Sequence, residues 1–360
     1  MALITPADLT FNGEEIKSVS EAVFESGFEK PELSKFHTIV TGIVAKKQIV
    51  ILGRLSGLVG AQSGGCDPTS ATNTLGMSEK FWEPAVVSDR LTECWTNLKE
   101  TFFVWGLKQG IKKYDLDGTD FLNYVTEMLN DAILEAIFRI AWFGDVDAAD
   151  VNASPAGILT AGTNPLYFNK IDGLWKQAYA IVAANAARLT AGITSRNGQA
   201  TKTLQEFQTA DTTNNVVTTT LQNMKFGADT RLRAKDDIVF VCTQSVADQY
   251  ERELTARNAA YTTERLENGI QVLKSSGYEL YSFELWDRII RAYYDNGTVY
   301  YKPHRIAMYS KANVQVGTES ETALGELDII FDKVTKKNHI DFMFNIDAKI
   351  IESYLVQFAY

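Results

Sequence analysis

The sequence predicts an α+β fold, and three observations carry that expectation. Thr119 to Phe143 places Phe121, Val125, Met128, Ala132, Ile133, Ile137 and Ile140 at the three- and four-residue spacing of one buried helical stripe. The uncharged run IVFVC at 238–242 lies between two helical patterns and suits a strand covered on both faces. The final seventy residues are mainly β, with turn signals between short apolar runs.

In chain order, residues 1 to about 35 are an acidic arm (Asp8, Glu14, Glu15, Glu21, Glu25, Glu29, Glu32) with no large apolar face, expected to dock on something else. His37 to Leu58 reads as two strands with a turn near Lys46-Lys47. The small and polar residues from Gly60 to Glu79 form a long exposed loop, and Lys80 to Leu98 is extended and aromatic-rich. Together these predict a hairpin standing out from the body. The long helix is capped by Thr119 with Asp117 and Asp120 at its positive end, and Gly144 stops it. At ~1.5 Å per residue it would be a rod of roughly 37 Å.

The Asp-, Ala- and Gly-rich run from Asp145 to Pro165 marks a boundary, and a second helix is expected from Ile171 to Leu189. After a Thr-rich stretch to Thr213 come a helix at 216–226, the strand at 237–242 and a helix at 245–257. Strands are expected at 269–273 and 278–285, and a tight turn at Tyr294-Asp295-Asn296-Gly297-Thr298. Residues 327–348 read as a hairpin with a lysine-rich turn, and the chain closes on a strand. No internal repeat of fixed period is visible.

Composition sets the outer limits. The 360 residues are 45% hydrophobic and 22% charged, enough for packed cores and against disorder as the dominant state. No run reaches the ~18 apolar residues of a membrane span. The first thirty residues lack a signal-peptide pattern, so the product is expected in the cytoplasm that made it. A net charge of -10 disfavours a role built on neutralising nucleic-acid phosphates. Cys66, Cys94 and Cys242 fit no metal-ligand spacing and read as free thiols.

A search for chemistry ends without an active site. The glycines at 53, 57, 60, 64 and 65 lack the lysine and following helix of a phosphate-binding loop. His37, His304 and His339 have no Ser or Cys in a recognisable nucleophile setting and read as structural or surface histidines. Asp115, Asp117 and Asp120 read as helix capping, and Asp145, Asp147 and Asp150 as a solvated loop; neither matches a calcium-loop spacing. The lysine pairs at 46–47, 112–113 and 336–337 lack the interleaved aromatics of a nucleic-acid groove. No cofactor, metal or catalytic residue is expected.

Read as a whole, the layout resembles the major capsid proteins of tailed bacteriophages, the Hong Kong 97-type fold family. The segments that carry it are Leu266-Glu267-Asn268-Gly269-Ile270-Gln271-Val272, Trp286-Asp287, the run from Asn296 to Arg305 (NGTVYYKPHR), Asn313 to Thr318 (NVQVGT) and the terminal Phe358-Ala359-Tyr360. The stretch from Thr220 to Arg257 is similar to the family's axial segment of helix, central strand and helix. Gln271 departs from the pattern, standing where relatives often carry proline, and no coiled scaffolding segment of ~100 residues opens the chain.

The resemblance implies an arm (1–40), an extended hairpin loop (41–92), a peripheral domain (93–148 and 291–360) with the spine helix at 119–143, and an axial domain (149–290). It implies a structural subunit of hexamers and pentamers in an icosahedral head around double-stranded DNA, the DNA contacted non-specifically. Scaffolding, portal and head-decoration proteins are the implied partners. The implied location is the virion capsid, assembled in the bacterial host cytoplasm, with no membrane contact. Lys46, Lys47, Arg54, Phe81 and Trp82 are the expected inter-subunit contacts. The alternatives are an encapsulin-like compartment shell, a tail or baseplate component, and an α/β enzyme with a site at Cys242-Thr243-Gln244-Ser245, beyond a strand's C-terminal end.

Overall fold

The computed structural model describes residues 36–52, 77–94, 135–259, 263–265, 270–275, 277–319, 328–332 and 337–360. Its strands are β1 (Thr38–Val40), β2 (Lys47–Leu52), β3 (Met77–Trp82), β4 (Ala85–Cys94), β5 (Ile238–Thr243), β6 (Thr263–Arg265) and β7 (Gln271–Ser275). They continue with β8 (Tyr278–Phe283), β9 (Ile306–Ser310), β10 (Val314–Thr318), β11 (Asp328–Asp332), β12 (Lys337–Ile350) and β13 (Val356–Ala359). The main helices are α1 (135–143), α2 (Leu174–Ala184), α3 (Thr209–Asn214), α4 (Val216–Gly227), α5 (Gln244–Ala256) and α6 (Glu284–Tyr293).

β5 organises the larger sheet, whose order is β13-β9-β5-β8-β7-β6. It runs parallel to β8 and antiparallel to β9, and every residue of it is buried. Side chains alternate across a strand, so one sequence serves two cores. Val239 and Val241 pack with Ile137, Ile140, Trp175, Trp286 and Ile290 of α1, α2 and α6. Ile238, Phe240 and Cys242 pack with Val217, Leu221 and Met224 of α4 and with Val246, Tyr250 and Leu254 of α5. The charge-free run is buried on both faces, as expected.

The second sheet is built on the fourteen residues of β12. One edge carries β4 in antiparallel register from Ala85 opposite Ile346 to Cys94 opposite Lys337. The other carries β10 opposite 346–350 and β11 opposite 337–341, with β1 parallel to β10 beyond. β2 and β3 form a separate two-stranded hairpin. The expected C-terminal hairpin is thus β11–β12.

Several expectations need correction. β1 and β2 are not partners. Gly42 turns the chain in the left-handed region (φ 78°), and the Gly42 and Ile43 amides donate to the carbonyls of Glu319 and Thr318. The chain therefore follows β10 before it departs into β2. β4, the last part of the expected 41–92 loop, pairs with β12 along its full length. β9 and β13, which follow residue 290, belong to the same sheet as β5: β9 pairs with β5, and β13 lies beyond β9 at the sheet's edge. Glu284–Tyr293 is a helix; Trp286, Ile289 and Ile290 are its buried stripe.

The helix expected at 171–189 is shorter. It starts at Leu174 because Gly173 lies against Gly144: the Gly173 amide donates to the Gly144 carbonyl, and a Cβ on Gly173 would sit 2.6 Å from the Gly144 nitrogen. Gly144 itself follows α1, as expected; the helix start at Thr119 lies outside the described residues. The Thr-rich stretch holds short helices at Thr194–Asn197 and Lys202–Gln205 as well as α3.

One buried carboxylate stitches two helices. Glu253 of α5 accepts the Val217 and Thr218 amides (2.9 and 2.8 Å) and the Thr218 hydroxyl, so it caps α4 from outside the helix.

Candidate functional site

The root of the β2–β3 hairpin gathers most of the expected contact residues. Lys47 is exposed and lies opposite Trp82 in register. Lys46 pairs with Glu83 at 2.5 Å and stands 4.7 Å above the Phe81 ring. Phe81 is half-buried. Trp82, 3% exposed, is turned inward: a Cβ on Gly317 of β10 would come within 2.9 Å of its ring and 2.7 Å of Ile43 Cδ1. Trp82 therefore anchors the hairpin to its own subunit. Arg54 and Trp95 lie outside the described residues.

The same face is fixed by polar contacts. Lys80 Nζ donates to the Ile350 carbonyl at 2.6 Å, and the Glu83 amide donates to Asp347 Oδ2 at 2.7 Å. Asp347 is buried beside Lys349, and its burial pushes the carboxyl pKa up. The opposite face carries Gln48, Val50, Glu79 and Phe81 by strand alternation, and Val50 is 52% exposed. On the neighbouring sheet Val86 and Met343 are exposed while Val87 and Phe344, one residue along, are buried. These outward apolar side chains were visible in the sequence only as strand residues; which face they took depended on pairing.

A cleft of about 790 Å³ opens where β5 and β8 end and α5 and α6 begin, lined among others by Ser245, Arg252, Asp287, Arg291 and His304. His304 Nε2 lies 2.8 Å from the Gln205 carbonyl, so it donates there and Nδ1 accepts from the Ser245 hydroxyl at 2.8 Å. Burial holds the imidazole at about 4, well below its ordinary range. Burial also raises Asp287 to about 6, against hydrogen bonds from the Gln244 and Ser245 amides. No motif announces this Ser–His pair, whose members are 59 residues apart.

The pair is not arranged for acyl transfer. That chemistry needs N–H groups where negative charge develops. Here the Gln244 amide donates to Asp287 Oδ2 at 2.6 Å, and the Asp287 carboxylate occupies the helix start. Cys242 points into the α4–α5 core with its thiol pushed well up by burial, closed to any substrate.

The other expected residues have structural duties. His37 is buried, accepts the Trp142 indole N–H at 3.2 Å through Nε2, and is held at about 3 by desolvation. Lys176 joins Asp145 and Asp147, while Asp150 accepts the Asn152 and Gly162 amides, so this cluster is a turn. Asp115, Asp117, Asp120 and Cys66 lie outside the described residues. His339 and Cys94 fall on strands whose side chains there are not described. Among the described residues no helix is long and apolar enough to cross a membrane.

No family model and no curated protein matches the sequence. A chain of the satellite phage P4 procapsid, solved with its size determination (Sid) protein, superposes over 95% of this chain and 96% of its own, with 10% identity and a TM-score of 0.50. This chain has a phage-capsid fold. The capsid of an empty GTA particle matches over 91% of this chain and 88% of its own (11% identity, TM-score 0.49). The holo-SrpI encapsulin complex of Synechococcus elongatus PCC 7942 matches over 92% and 87% (8% identity, TM-score 0.45). Within this capsid fold, no described residue of the β2–β3 hairpin belongs to either core cluster, and its root meets the body through Trp82 against Gly317.

Proposed function

We propose that the chain is a structural shell subunit, assembling as hexamers and pentamers into an icosahedral phage head around double-stranded DNA. The observation that carries this reading is the fold shared with the P4 procapsid chain along nearly the full length of both. Identical subunits tile by heterologous contacts that close into rings. A hairpin with an anchored root and an outward face that carries Val50 and Phe81 between Gln48 and Glu79 suits lapping over a neighbour, with Val50, Phe81 and, at the root, exposed Lys47 as contacts and Lys46 and Trp82 as its internal fastening. Scaffolding, portal and decoration proteins are the proposed partners, and the role is structural rather than catalytic.

Mass photometry with negative-stain electron microscopy tests this on the purified protein, alone and with a scaffold. Rings of five or six subunits or closed polyhedral shells are expected; a monomer under every condition would overturn the reading. Because Lys47 lies opposite Trp82, a two-residue Asn-Gly turn replacing residues 48–81 closes the hairpin at its root. That variant is expected to fold and to lose stable shells; closed shells of normal size from it would count against the role given to the hairpin.

A further inference from the structure

A second cavity, of about 300 Å³, lies between the end of α1, the first turns of α2 and the residues leading into β9. Its wall includes Phe143, Trp175, Tyr179, Tyr294 and Arg305. Arg305 is 1% exposed. Its guanidinium donates to the carbonyls of Lys302 (Nε, 2.8 Å) and Tyr301 (Nη2, 3.0 Å). It stands 5.0 Å from the Phe143 ring, 5.3 Å from Trp175 and 5.6 Å from Tyr294.

What this cation lacks is an anion. Buried guanidinium groups are costly unless they are paired. Arg188 and Arg196, both largely buried, obey the rule with Asp229 at 2.9 Å and Asp211 at 2.7 Å. Arg305 forms no ion pair among the described residues. A second cation deepens the deficit: Lys302 Nζ sits 4.0 Å from the Tyr179 ring and 3.7 Å from that of Tyr360, also without a carboxylate. Two acids line the cavity, Asp145 and Asp147, and both are engaged by Lys176, which lines it too (2.7 and 3.2 Å).

Two further donors in the same wall are unspent. The Trp175 indole N–H and the Tyr179 hydroxyl are buried with no hydrogen-bond partner among the described residues, although such groups are ordinarily satisfied. An indole only donates, and a guanidinium only donates. A cavity whose unspent polar groups include these donors and a positive charge, set in aromatic walls, calls for an anionic acceptor on an apolar body. The planar fork of arginine matches a carboxylate best.

We propose that this cavity binds a carboxylate carried on a small apolar or aromatic body, with Arg305 holding the anion and Trp175 and Tyr179 donating to it. Its volume is at the lower end of small-molecule sites, about 300–1,000 Å³. The carboxylate could belong to a free small acid or to an acidic side chain of another protein chain; the chemistry is shared, and the test separates them. The inference does not depend on the shell role.

Fluorine NMR titration of the full-length protein with 4-fluorobenzoate tests it, with 4-fluorobenzamide as the neutral isostere. Saturable binding of the acid is expected, at least about tenfold tighter than the amide, because a charge-assisted contact is lost in the amide. Arg305→Lys should weaken the acid about tenfold and Tyr179→Phe about threefold, with circular dichroism confirming folding. If Arg305→Lys does not fold, Tyr179→Phe decides, since it removes one oxygen only. An acetyl-Phe-Glu-amide peptide, whose one carboxylate is on a side chain, forms the second arm. Tighter binding by the peptide assigns the site to another chain's acidic residue, and tighter binding by benzoate to a free acid. Lack of saturable binding by either probe, equal binding of acid and amide, or binding that Tyr179→Phe leaves unchanged would overturn the proposal.

Discussion

β2 and β5 are both six-residue strands rich in Ile and Val, KQIVIL and IVFVCT, yet they have opposite fates. β5 has strands on both edges and helices on both faces, and nothing of it reaches solvent. Among the described residues β2 pairs with β3 alone, and its Val50 is half in water. An isolated two-stranded hairpin is marginal in water. This one is held at its root by Trp82 on Gly317, Lys80 on the Ile350 carbonyl and Glu83 on Asp347. The lesson is that similar local composition supplies a core in one place and, under the proposed shell role, an adhesive edge in the other.

The sharpest way to break the contrast is in the interior. Phe240→Ala empties a side chain packed among α4 and α5 residues and should cost about 3–5 kcal/mol, read as a lower denaturation midpoint. The matching change on the hairpin's outer face should cost almost nothing, as set out below for Val50.

Acid sharpens the contrast next. His304 is held at about 4, so the unfolded chain takes up a proton more readily, and stability falls as pH drops from 6.5 towards 4. Asp287, raised to about 6, acts in the opposite sense. The folded state takes up its proton first, so stability rises as pH drops from 6 towards the ordinary carboxylate range. The two oppose each other in one cleft. Asp287→Asn removes only the second, so the loss between pH 6 and 4 should steepen by about 2–3 kcal/mol in urea melts at pH 7, 5 and 4. The exposed Lys46–Glu83 pair should contribute little to either profile.

A smaller effect is expected at the hairpin root. Gly317→Ala drives a methyl into the rigid Trp82 ring and should cost about 1–3 kcal/mol, with faster hydrogen exchange in β2 and β3 and little change in β5. Uniform loss of protection across both strands would mean the root is not a separate fastening. Smallest of all, Val50→Ser should change subunit stability by less than about 0.5 kcal/mol while lowering the yield of assembled particles.

Much of the body was legible in the sequence. A strand without charges between two amphipathic helices, a turn at Asn296-Gly297 and a β-rich end are local patterns, and β5, α4, α5 and β11–β12 follow them. The bridge between Asp295 and Tyr300 falls where that turn was expected. α6 was missed because its ten residues begin directly after a strand, with no polar break to announce them. Of the candidate sites, the hairpin residues were named, but the inward turn of Trp82 was not, and neither the Ser245–His304 pair nor the Arg305 cage had a motif.

Periodicity and chain breaks are legible without the fold, because they act between residues a few positions apart, and apolar content is a plain count. Tertiary structure decided which strands became neighbours, which face of each met water, and where charge was left uncompensated. Arg305 shows why. Its cation is set by one codon, but the cage around it, without an ion pair among the described residues, comes from aromatic side chains on α1, α2 and the turn after α6, which lie far apart along the chain between Phe143 and Tyr294, and only folding brings them around one guanidinium.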